Sequence, residues 1–378
     1  MLSKEETTRY SRHLLLPEIG MKGQEKLKSA RVLVIGAGGL GCPVLLYLAA
    51  AGTGTIGIVD FDIVEETNLQ RQILFDGSDI GKPKADAAKT KLQKLNSFIR
   101  TEVFNTKLTT ENALEIFSTY DIIIDGTDNF ATRYMVNDAS FILRKILVSG
   151  SIFKFEGQLA VFDFRNENTP TYRCLFPSPP SPELAPGCSE TGVIGVLPGI
   201  IGTLMANETI KMITGLGEIP ENKLLVLDAI SMNFQTLEFE RNTEAVKSIP
   251  KTPAEFKKMN YGYFCQSKAK NNAVREISAD EVLNFISSGT NIQILDVREK
   301  DEQPEIAVLN DLKIPLGEIE ARVTEISRDK KVIVFCKSGM RSSATIELLQ
   351  RKFGFDNLFN LKGGVMEWMM CENKTQNI

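Results

Sequence analysis

The stretch RVLVIGAGGLGCPVLLYLAAAGTGTIGIVD, residues 31–60, determines the fold class. Arg31–Ile35 is a short apolar run typical of a buried strand, and the sequence GAGGLG follows it directly. Gly41–Ala51 then has helical spacing of apolar residues, and Thr55–Asp60 forms the next strand. A strand, a glycine loop, a helix and a second strand in this order predict a Rossmann-like α/β domain that opens on parallel strands.

The glycine loop predicts a nucleotide site. Gly36, Gly38 and Gly41 satisfy the pattern G-x-G-x-x-G, in which the first glycine permits a tight turn, the second lets a phosphate approach the backbone and the third lets the helix pack on the strand. Asp60 ends the second strand, where a carboxylate can bind ribose hydroxyls. Alone, this pattern favours an NAD-dependent enzyme, and glycines that serve only packing are the other reading.

Charged residues that follow the second and third predicted strands favour a triphosphate as the ligand. Arg71 and Lys84 would bring positive charge to the loop, which suits the charge that develops on phosphates during their transfer. Asp128 follows the next predicted strand, and Mg²⁺ takes few carboxylates together with phosphate oxygens. Each residue alone would be read as a solvated charge, but their joint position at strand ends predicts a site.

The length and composition of the chain limit the number of domains and the classes of partner. The 378 residues suggest two to three domains, and the net charge of −4 favours neither nucleic acid nor an anionic membrane surface as a partner. Six cysteines without framework spacing, and an N-terminus without an apolar core, predict a protein of the reducing cytoplasm. With His13 as the one histidine, the composition disfavours Ser-His-Asp catalysis and a metal site built from several histidines.

A change in composition divides the chain. We expect a first domain over residues 1–240, a polar, lysine-rich linker over 241–274, and a small second α/β domain over 275–378. In the second domain Ile292–Val297 and Lys331–Phe335 read as strands, and Ser342–Lys352 reads as a helix.

The first domain resembles the ubiquitin-activating (E1)-like adenylyltransferases of the ThiF and MoeB type, and we expect its sheet to be mixed. The motifs that carry the resemblance are RYSRHLLLPEIG (Arg9–Gly20), GAGGLGCP (Gly36–Pro43), VDFDIVEETNLQRQ (Val59–Gln72), GKPKA (Gly81–Ala85) and GTDNFATR (Gly126–Arg133). The resemblance implies that ATP is held by Gly36, Gly38, Gly39, Gly41, Asp60, Asp62, Thr67, Asn68, Leu69, Gln70, Arg71, Gln72, Lys84, Asp128 and Asn129, with Mg²⁺ on Asp128.

The resemblance also implies partners and a reaction. A ubiquitin-like sulfur carrier would present the carboxylate of its Gly-Gly tail to ATP, and an acyl-adenylate would form without a general base. Arg12 would reach the site of the other subunit in a homodimer, where an arginine fork neutralises pyrophosphate. The segment Val193–Ile213 is either a buried core helix or part of the dimer contact.

Similar proteins commonly carry two C-x-x-C pairs that bind a structural zinc ion. Here the first pair reads Thr171-Tyr-Arg-Cys174, and residues 240–261 contain no cysteine. We therefore predict that this chain binds no structural zinc and that ordinary packing holds the region together.

Cys188 lies in a glycine-containing loop after a proline-rich segment. The resemblance implies a thiol that attacks the adenylate or pairs with a persulfide, and a buried small residue is the equal alternative. Cys42, Cys174 and Cys371 are expected to serve packing.

The second domain resembles rhodanese-type sulfurtransferases, on VIVFCKSGMRSS at Val332–Ser343, Asp296-Val-Arg298 and GGVMEW at Gly363–Trp368. Cys336 follows an apolar strand and precedes a helix, where loop N–H groups, the helix dipole and Arg341 would favour the thiolate. Four residues separate Cys336 from Arg341, where cysteine phosphatases have five. The stretch Glu299–Asp311 lacks the histidine and glycine usual in rhodaneses.

Together the two domains predict that Cys336 takes sulfur from thiosulfate or a cysteine desulfurase and passes it to the adenylated carrier, giving a thiocarboxylate. Cys188 would release the carrier from a transient acyl disulfide or thioester. Two alternatives remain at this point: an NAD-dependent oxidoreductase with a regulatory rhodanese domain, and a non-catalytic scaffold for sulfur carriers. The sequence does not identify the carrier among those of molybdenum cofactor, thiamine and tRNA thiolation.

Overall fold

The computed structural model describes residues 1–179, 192–218, 222–262, 274–299, 302–304, 306, 309, 312–337, 339–365 and 367–369. These residues form two compact units, the first extending to Gly262 and the second beginning at Val274. The helices are α1 (Lys4–Arg9), α2 (Ser11–Leu14), α3 (Gly20–Ser29), α4 (Gly41–Ala51), α5 (Lys84–Leu95), α6 (Ala113–Ser118), α7 (Phe130–Ile142), α8 (Tyr172–Leu175), α9 (Val196–Thr214), α10 (Thr243–Lys247), α11 (Pro253–Lys258), α12 (Ala279–Ser287) and α13 (Met340–Phe353).

The strands of the first unit are β1 (Arg31–Ile35), β2 (Thr55–Val59), β3 (Arg100–Phe104), β4 (Ile122–Asp125), β5 (Ile146–Phe153), β6 (Glu156–Asp163), β7 (Lys223–Asp228) and β8 (Asn233–Glu238). They form one sheet in the order β3-β2-β1-β4-β5-β6-β7-β8. The first five strands of that order are parallel, and the pairs from β5 to β8 are antiparallel. The predicted mixed α/β sheet is confirmed.

The parallel strands β1, β2 and β4 are buried on both faces, which explains their nearly continuous apolar sequence. On one face Val32 and Val34 of β1 pack with apolar residues of α4, α5 and α9. On the other face Leu33 and Ile35 pack with residues of α6 and α7. The two layers leave the carboxyl ends of the parallel strands open at one edge of the sheet, where ligands bind in folds of this kind.

The segment Val193–Ile213, for which the sequence left two readings open, forms α9. Leu197, Ile201 and Met205 are fully buried against the sheet, whereas Val196 is 59% exposed. Helix α9 therefore contributes to the core and also presents an apolar surface. Within the described part of the chain, no helix combines the length and apolar character needed to cross a bilayer.

The predicted linker begins later than composition indicated. Helices α10 and α11 lie within residues 241–262, and Val246, Phe256 and Tyr261 are buried. Phe256 and Tyr261 belong to the same core cluster as α7. These few apolar anchors hold an otherwise polar segment on the first unit, so the packed part of this unit extends at least to Gly262.

The second unit is a smaller α/β structure. Its strands are β9 (Arg275–Ile277), β10 (Ile292–Asp296), β11 (Leu312–Lys313), β12 (Lys331–Phe335) and β13 (Leu358–Leu361), and they form a parallel sheet in the order β11-β10-β12-β13-β9. Helix α13 packs on β12 and β13 and begins two residues before the predicted Ser342. Cys336 directly follows the central strand β12.

Candidate functional site

A cavity of about 1030 Å³ opens at the carboxyl ends of β1, β2 and β4 in the first unit. Gly36, Gly38 and Gly39 of the glycine loop line it, and Asp60 enters from the end of β2. The cavity is thus built from the residues that the sequence placed after the parallel strands.

Two glycines of the loop, Gly41 and Gly38, differ in the space available beside their Cα atoms. A Cβ at Gly41 would lie 1.9 Å from the Gly36 carbonyl oxygen, so only glycine lets α4 pack this closely on the loop. A Cβ at Gly38 would have only the Gln72 side-chain Nε2 within 4 Å, at 3.9 Å. The backbone at Gly38 therefore faces space in which a phosphate group can approach it.

Asp60 is held by the loop that it faces. Its Oδ2 accepts a hydrogen bond from the Ala37 N–H (2.7 Å), and its Oδ1 accepts one from the Asp62 N–H (2.8 Å). Burial raises the pKa of Asp60 above the ordinary value of 3.8, although both hydrogen bonds favour the ionised form. Next to it, the buried Lys84 ammonium group lies 3.1 Å from Oδ2 of Asp62, which is half-exposed.

The Asn68–Gln72 turn presents polar groups to the cavity. Asn68, Arg71 and Gln72 line it, and Arg71 donates from Nη1 to the Thr67 carbonyl oxygen (3.0 Å). The Gln72 Oε1 atom is buried and has no hydrogen-bond partner among the described residues. This unsatisfied atom and the open Gly38 backbone fit a polar ligand that carries phosphate and hydroxyl groups.

Asp128 and Asn129 occupy the rim after β4, and both are exposed. Asn129 Oδ1 accepts from the Thr132 N–H (2.9 Å) and so caps α7. In the described chain, no group of three or more acidic, histidine or cysteine side chains converges on a metal position. A single carboxylate nevertheless fits Mg²⁺ that takes its other ligands from phosphates and water.

The structure brings most of the expected ATP residues together. The lining includes Gly36, Gly38, Gly39, Asp60, Asp62, Asn68, Arg71, Gln72, Lys84, Asp128 and Asn129. Gly41, Thr67, Leu69 and Gln70 do not line the cavity, and the exposed Arg12 of α2 is not part of this wall within its own chain.

The lining also contains residues that sequence reasoning missed. Arg133 is buried and donates from Nη2 to the Thr127 carbonyl oxygen (3.0 Å), and it belongs to the GTDNFATR motif that pointed to this site. Two further wall segments are the Thr106–Thr110 loop after β3 and the residues Lys257–Gly262. The latter lie in the segment that composition marked as a linker, so no motif pointed to them.

Among the described residues, Cys174 is the one cysteine at the expected zinc position. The Cys174 Sγ atom accepts hydrogen bonds from the backbone N–H groups of Thr171 and Asn242, each at 3.3 Å. One thiol cannot supply the four ligands of a closed zinc site. These hydrogen bonds link the start of α8 to the start of α10.

A buried ion pair also holds this region, where the sequence predicted ordinary packing alone. Arg173 and Asp138 are fully buried and form two hydrogen bonds, of 2.9 and 2.7 Å. Burial opposes the charge on Arg173, but Asp138 outweighs this effect and raises the pKa of Arg173. Burial also raises the pKa of Tyr261, whose hydroxyl donates to Asp138 (2.8 Å).

In the second unit the thiol of Cys336 lies at the carboxyl end of β12 in a loop that we call the Cys336 cradle, formed with Gly339 and Ser342. The buried Cys336 Sγ accepts from the Gly339 N–H (3.2 Å) and lies 3.5 Å from the Ser342 hydroxyl oxygen. Gly339 has φ of 89° and precedes α13, so the amino end of this helix faces the sulfur. Gly364 approaches so closely that a Cβ there would lie 2.3 Å from the Cys336 carbonyl oxygen. The arrangement stabilises negative charge on the sulfur.

Arg341 forms an ion pair with Glu302. Its guanidinium donates to both oxygens of Glu302, at 2.8 and 2.5 Å. These hydrogen bonds lower the pKa of Glu302 and raise that of Arg341. The sequence predicted that Arg341 adds positive charge beside Cys336, but the structure shows that Glu302 offsets part of that charge.

Of the three remaining cysteines with a predicted role, the structure describes Cys42 alone. Cys42 is fully buried, and burial raises its pKa to about 12, which fits a packing role. Cys188 and Cys371 lie outside the described residues.

Comparison with known proteins agrees with both units. The ThiF family model matches residues 10–247, and the rhodanese-like domain model matches residues 278–371. The chain is 41% identical to the probable adenylyltransferase/sulfurtransferase MoeZ of Mycobacterium tuberculosis, over 97% of this chain and 94% of that protein. It is 48% identical to the sulfur carrier protein adenylyltransferase of Thermus thermophilus, over 70% of this chain and 98% of that protein.

Among solved structures, E. coli MccB with ATP has a TM-score of 0.55 at 24% identity, over 64% of this chain and 73% of that chain. This likeness concerns the fold alone. The relatives show an enzyme of the adenylyltransferase and sulfurtransferase class. The chain belongs to the ThiF family and carries a rhodanese-like domain after the ThiF unit.

Proposed function

We propose that this enzyme uses ATP to adenylylate the C-terminal glycine of a ubiquitin-like sulfur carrier and then transfers sulfur to that carboxyl group from a persulfide on Cys336. The cavity at the strand ends carries the proposal, since it gathers the glycine loop, Asp60, Arg71, Lys84 and Asp128 in one place. The name of the Mycobacterium tuberculosis relative supports both reactions, and that of the Thermus thermophilus relative supports adenylylation of a sulfur carrier.

In the first reaction a carboxylate oxygen of the carrier attacks the α-phosphorus of ATP, and the bond to the bridging oxygen of pyrophosphate breaks. Asp60 would hold the ribose hydroxyls, and Arg71 and Lys84 would neutralise charge on the phosphates. Mg²⁺ held at Asp128 would further screen the phosphate charge. No proton has to be removed from the attacking carboxylate, so positioning and charge neutralisation suffice.

In the second reaction the Cys336 thiolate takes the outer sulfur of thiosulfate, releasing sulfite, or takes a sulfur atom from a cysteine desulfurase. The terminal persulfide sulfur then attacks the acyl carbon of the adenylate, and AMP leaves. The Gly339 N–H, the Ser342 hydroxyl and the amino end of α13 support this chemistry, because they stabilise negative charge on the sulfur.

Release of the thiocarboxylate requires cleavage of the acyl disulfide that joins the carrier to Cys336. We propose that the Cys188 thiolate attacks the Cys336 sulfur, which expels the carrier thiocarboxylate and leaves a disulfide between Cys188 and Cys336. A thiol reductant then restores both cysteines. Tethering both reactions on one chain would raise the local concentration of the persulfide.

An exposed apolar patch beside the cavity supports docking of a folded carrier. Ile152 lines the cavity, and Phe155, Ile230 and Met232 are 45%, 73% and 59% exposed. The Ala229 N–H donates to the Phe155 carbonyl oxygen (2.8 Å), so the β5–β6 and β7–β8 turns are neighbours. A carrier docked on this apolar surface could extend its tail into the cavity.

We also propose that the enzyme is a homodimer in which Arg12 completes the site of the partner subunit. An apolar groove of about 680 Å³ supports this proposal, because Tyr47 of α4, Ile73, and Val196 and Ile200 of α9 line it and three of these four are more than half exposed. A second copy would remove this apolar surface from water.

The decisive experiment supplies the wild-type protein with purified candidate carriers, Mg²⁺-ATP and thiosulfate. We expect carrier-dependent exchange of pyrophosphate into ATP, and mass spectrometry should detect first AMP and then sulfur at the carrier C-terminus. Calorimetry should show binding of Mg²⁺-ATP and none of NAD. A protein that binds NAD instead, or that modifies no carrier, would overturn the proposal.

A further inference from the structure

Asp128, the residue proposed above to hold Mg²⁺, lies in the short loop between β4 and α7. It is exposed, but the residues on both sides of it are held in place. The Asn129 side chain caps α7, and the Gly126 N–H donates to the Ile35 carbonyl oxygen at the end of β1 (3.1 Å). The placement of the Asp128 carboxylate therefore depends on how the intervening residue, Thr127, is held.

Thr127 is held at three of its polar atoms by two buried side chains. Its N–H and its hydroxyl donate to Oδ1 of Asp125, at 3.0 and 2.7 Å. Its carbonyl oxygen accepts from Nε and Nη2 of Arg133, at 3.3 and 3.0 Å. That carbonyl group belongs to the planar peptide bond that joins Thr127 to Asp128. Arg133 therefore fixes the plane that contains the Cα atom of Asp128.

The fold retains both side chains although each lowers stability in one respect. Arg133 lies in the first turn of α7, where the positive end of the helix dipole disfavours a cation. The buried Oδ2 atom of Asp125 has no hydrogen-bond partner among the described residues, and an unsatisfied buried oxygen is also unfavourable. Departures of this kind from local rules are typical of functional sites. They indicate that the hold on Thr127 serves more than the stability of the loop.

We propose that Asp125 and Arg133 are positioning residues that hold the Asp128 carboxylate in place for the Mg²⁺ ion that accompanies ATP. This inference rests on the proposed role of Asp128 in holding Mg²⁺. A guanidinium cannot ligate a metal cation, and Asp125 does not line the cavity, so both residues act through Thr127. Side chains that orient a metal ligand in this way raise metal affinity, because the ligand is already ordered before the ion binds.

Calorimetry on the full chain, without a carrier, tests this inference when ATP is titrated once in excess Mg²⁺ and once in EDTA. The ratio of the two affinities measures what Mg²⁺ adds. We expect Arg133→Met, which keeps the side-chain length and removes both donors, to lower this ratio by about tenfold and to leave the affinity in EDTA within about twofold of the wild type. The matched control is Arg144→Met, because Arg144 follows the other end of α7, is exposed and does not line the cavity. Both of its affinities should equal those of the wild type.

Two further variants test whether Arg133 acts through Asp128. Arg133→Lys keeps the charge but replaces the two donor nitrogens by one, so its ratio should lie between those of the wild type and Arg133→Met. In the Asp128→Ala background, adding Arg133→Met should change neither affinity further, because both substitutions act on the same carboxylate. A further loss in the double variant would overturn the inference.

The outcomes separate this inference from the proposed function. If the wild-type protein binds no ATP, or gains nothing from Mg²⁺, the proposed function fails and the inference fails with it. If the wild type gains from Mg²⁺ and Arg133→Met gains equally, only the inference is overturned. An equal loss of affinity in EDTA and in Mg²⁺ also overturns it, since Arg133 would then bind the phosphates directly. Should Arg133→Met fold poorly, as judged by circular dichroism, a wild-type ratio in Arg133→Lys overturns the inference and an intermediate ratio supports it.

Discussion

The hydroxyl of Tyr261 donates a hydrogen bond to Oδ2 of Asp138, 2.8 Å away and 123 residues earlier in the chain. Asp138 also receives two hydrogen bonds from the fully buried Arg173. One carboxylate thus joins α7, the start of α8 and the end of the first unit. Because the carboxylate is fully buried, each lost donor leaves charge less well compensated.

Tyr261→Phe should destabilise the first unit with little change of shape. Loss of a hydrogen bond to a buried charged group costs about 1.5–3 kcal/mol, so the melting temperature of this unit should fall by several degrees. Scanning calorimetry of the full chain measures the shift. Tyr47→Phe is the control, because Tyr47 is 53% exposed and loss of its hydroxyl leaves no buried charge less well compensated. Equal effects of the two variants would contradict a structural role for the Tyr261–Asp138 hydrogen bond.

Two glycines of one loop should respond differently to alanine. At Gly38 the added methyl group meets no atom closer than 3.9 Å, so Gly38→Ala should fold normally but lower ATP affinity by about tenfold or more, since the methyl occupies phosphate space. At Gly41 the methyl would overlap the Gly36 carbonyl oxygen, so Gly41→Ala should cost about 1–3 kcal/mol or more of stability. Melting temperatures and calorimetric ATP titrations distinguish the two effects. Normal ATP affinity in Gly38→Ala would show that the phosphates do not bind against Gly38.

The parts of the molecule that the sequence predicted are those with local signals. Strands Arg31–Ile35 and Lys331–Phe335 are short apolar runs next to loops, and the structure gives them the same bounds. The wall Lys257–Gly262 escaped prediction because two aromatic anchors, Phe256 and Tyr261, fix a stretch whose composition is that of a linker. The Arg341–Glu302 ion pair joins residues 39 positions apart, and no spacing rule connects them.

The pH dependence of ATP binding should report the ionisation of Asp60. Burial raises the pKa of this carboxyl above 3.8, so it takes up a proton at a higher pH than an exposed aspartate does. Because the ionised form accepts hydrogen bonds from the ribose hydroxyls, ATP affinity should fall as the pH falls from neutral towards this raised pKa. Calorimetry across that range should show the fall in the wild type and in Asp280→Asn, whose site lies on the exposed face of α12. Asp60→Asn should bind ATP weakly at every pH. If its ATP affinity still fell as the pH is lowered, a group other than Asp60 would be responsible for the pH dependence.

Substitutions in the two units should separate the two reactions. Cys336→Ala should abolish transfer of sulfur to the carrier and leave carrier-dependent pyrophosphate exchange intact, because it removes only the sulfur acceptor. Asp128→Ala should strongly reduce exchange and leave persulfide formation from thiosulfate intact. Exchange assays and detection of sulfite measure the two activities independently. Loss of exchange in Cys336→Ala would show that the proposed division of the chemistry is wrong, and unchanged exchange in Asp128→Ala would exclude this residue as the Mg²⁺ ligand.

Glu302 should tune the use of anionic sulfur donors. Its carboxylate is held ionised by Arg341, which lowers its pKa, so the ion pair persists at neutral pH and separates only in acid. Glu302→Gln removes one negative charge beside the Cys336 cradle and keeps a side chain that can accept a hydrogen bond from Arg341. The KM for thiosulfate should therefore fall by about threefold, which corresponds to less than 1 kcal/mol of Coulomb energy. Glu299→Gln is the matched control, since it makes the same charge change at an exposed position three residues earlier. A higher KM in Glu302→Gln would instead mean that the carboxylate acts mainly by positioning Arg341. Equal changes of KM in both variants would mean that the overall charge, and not the Glu302–Arg341 ion pair, sets the affinity for thiosulfate.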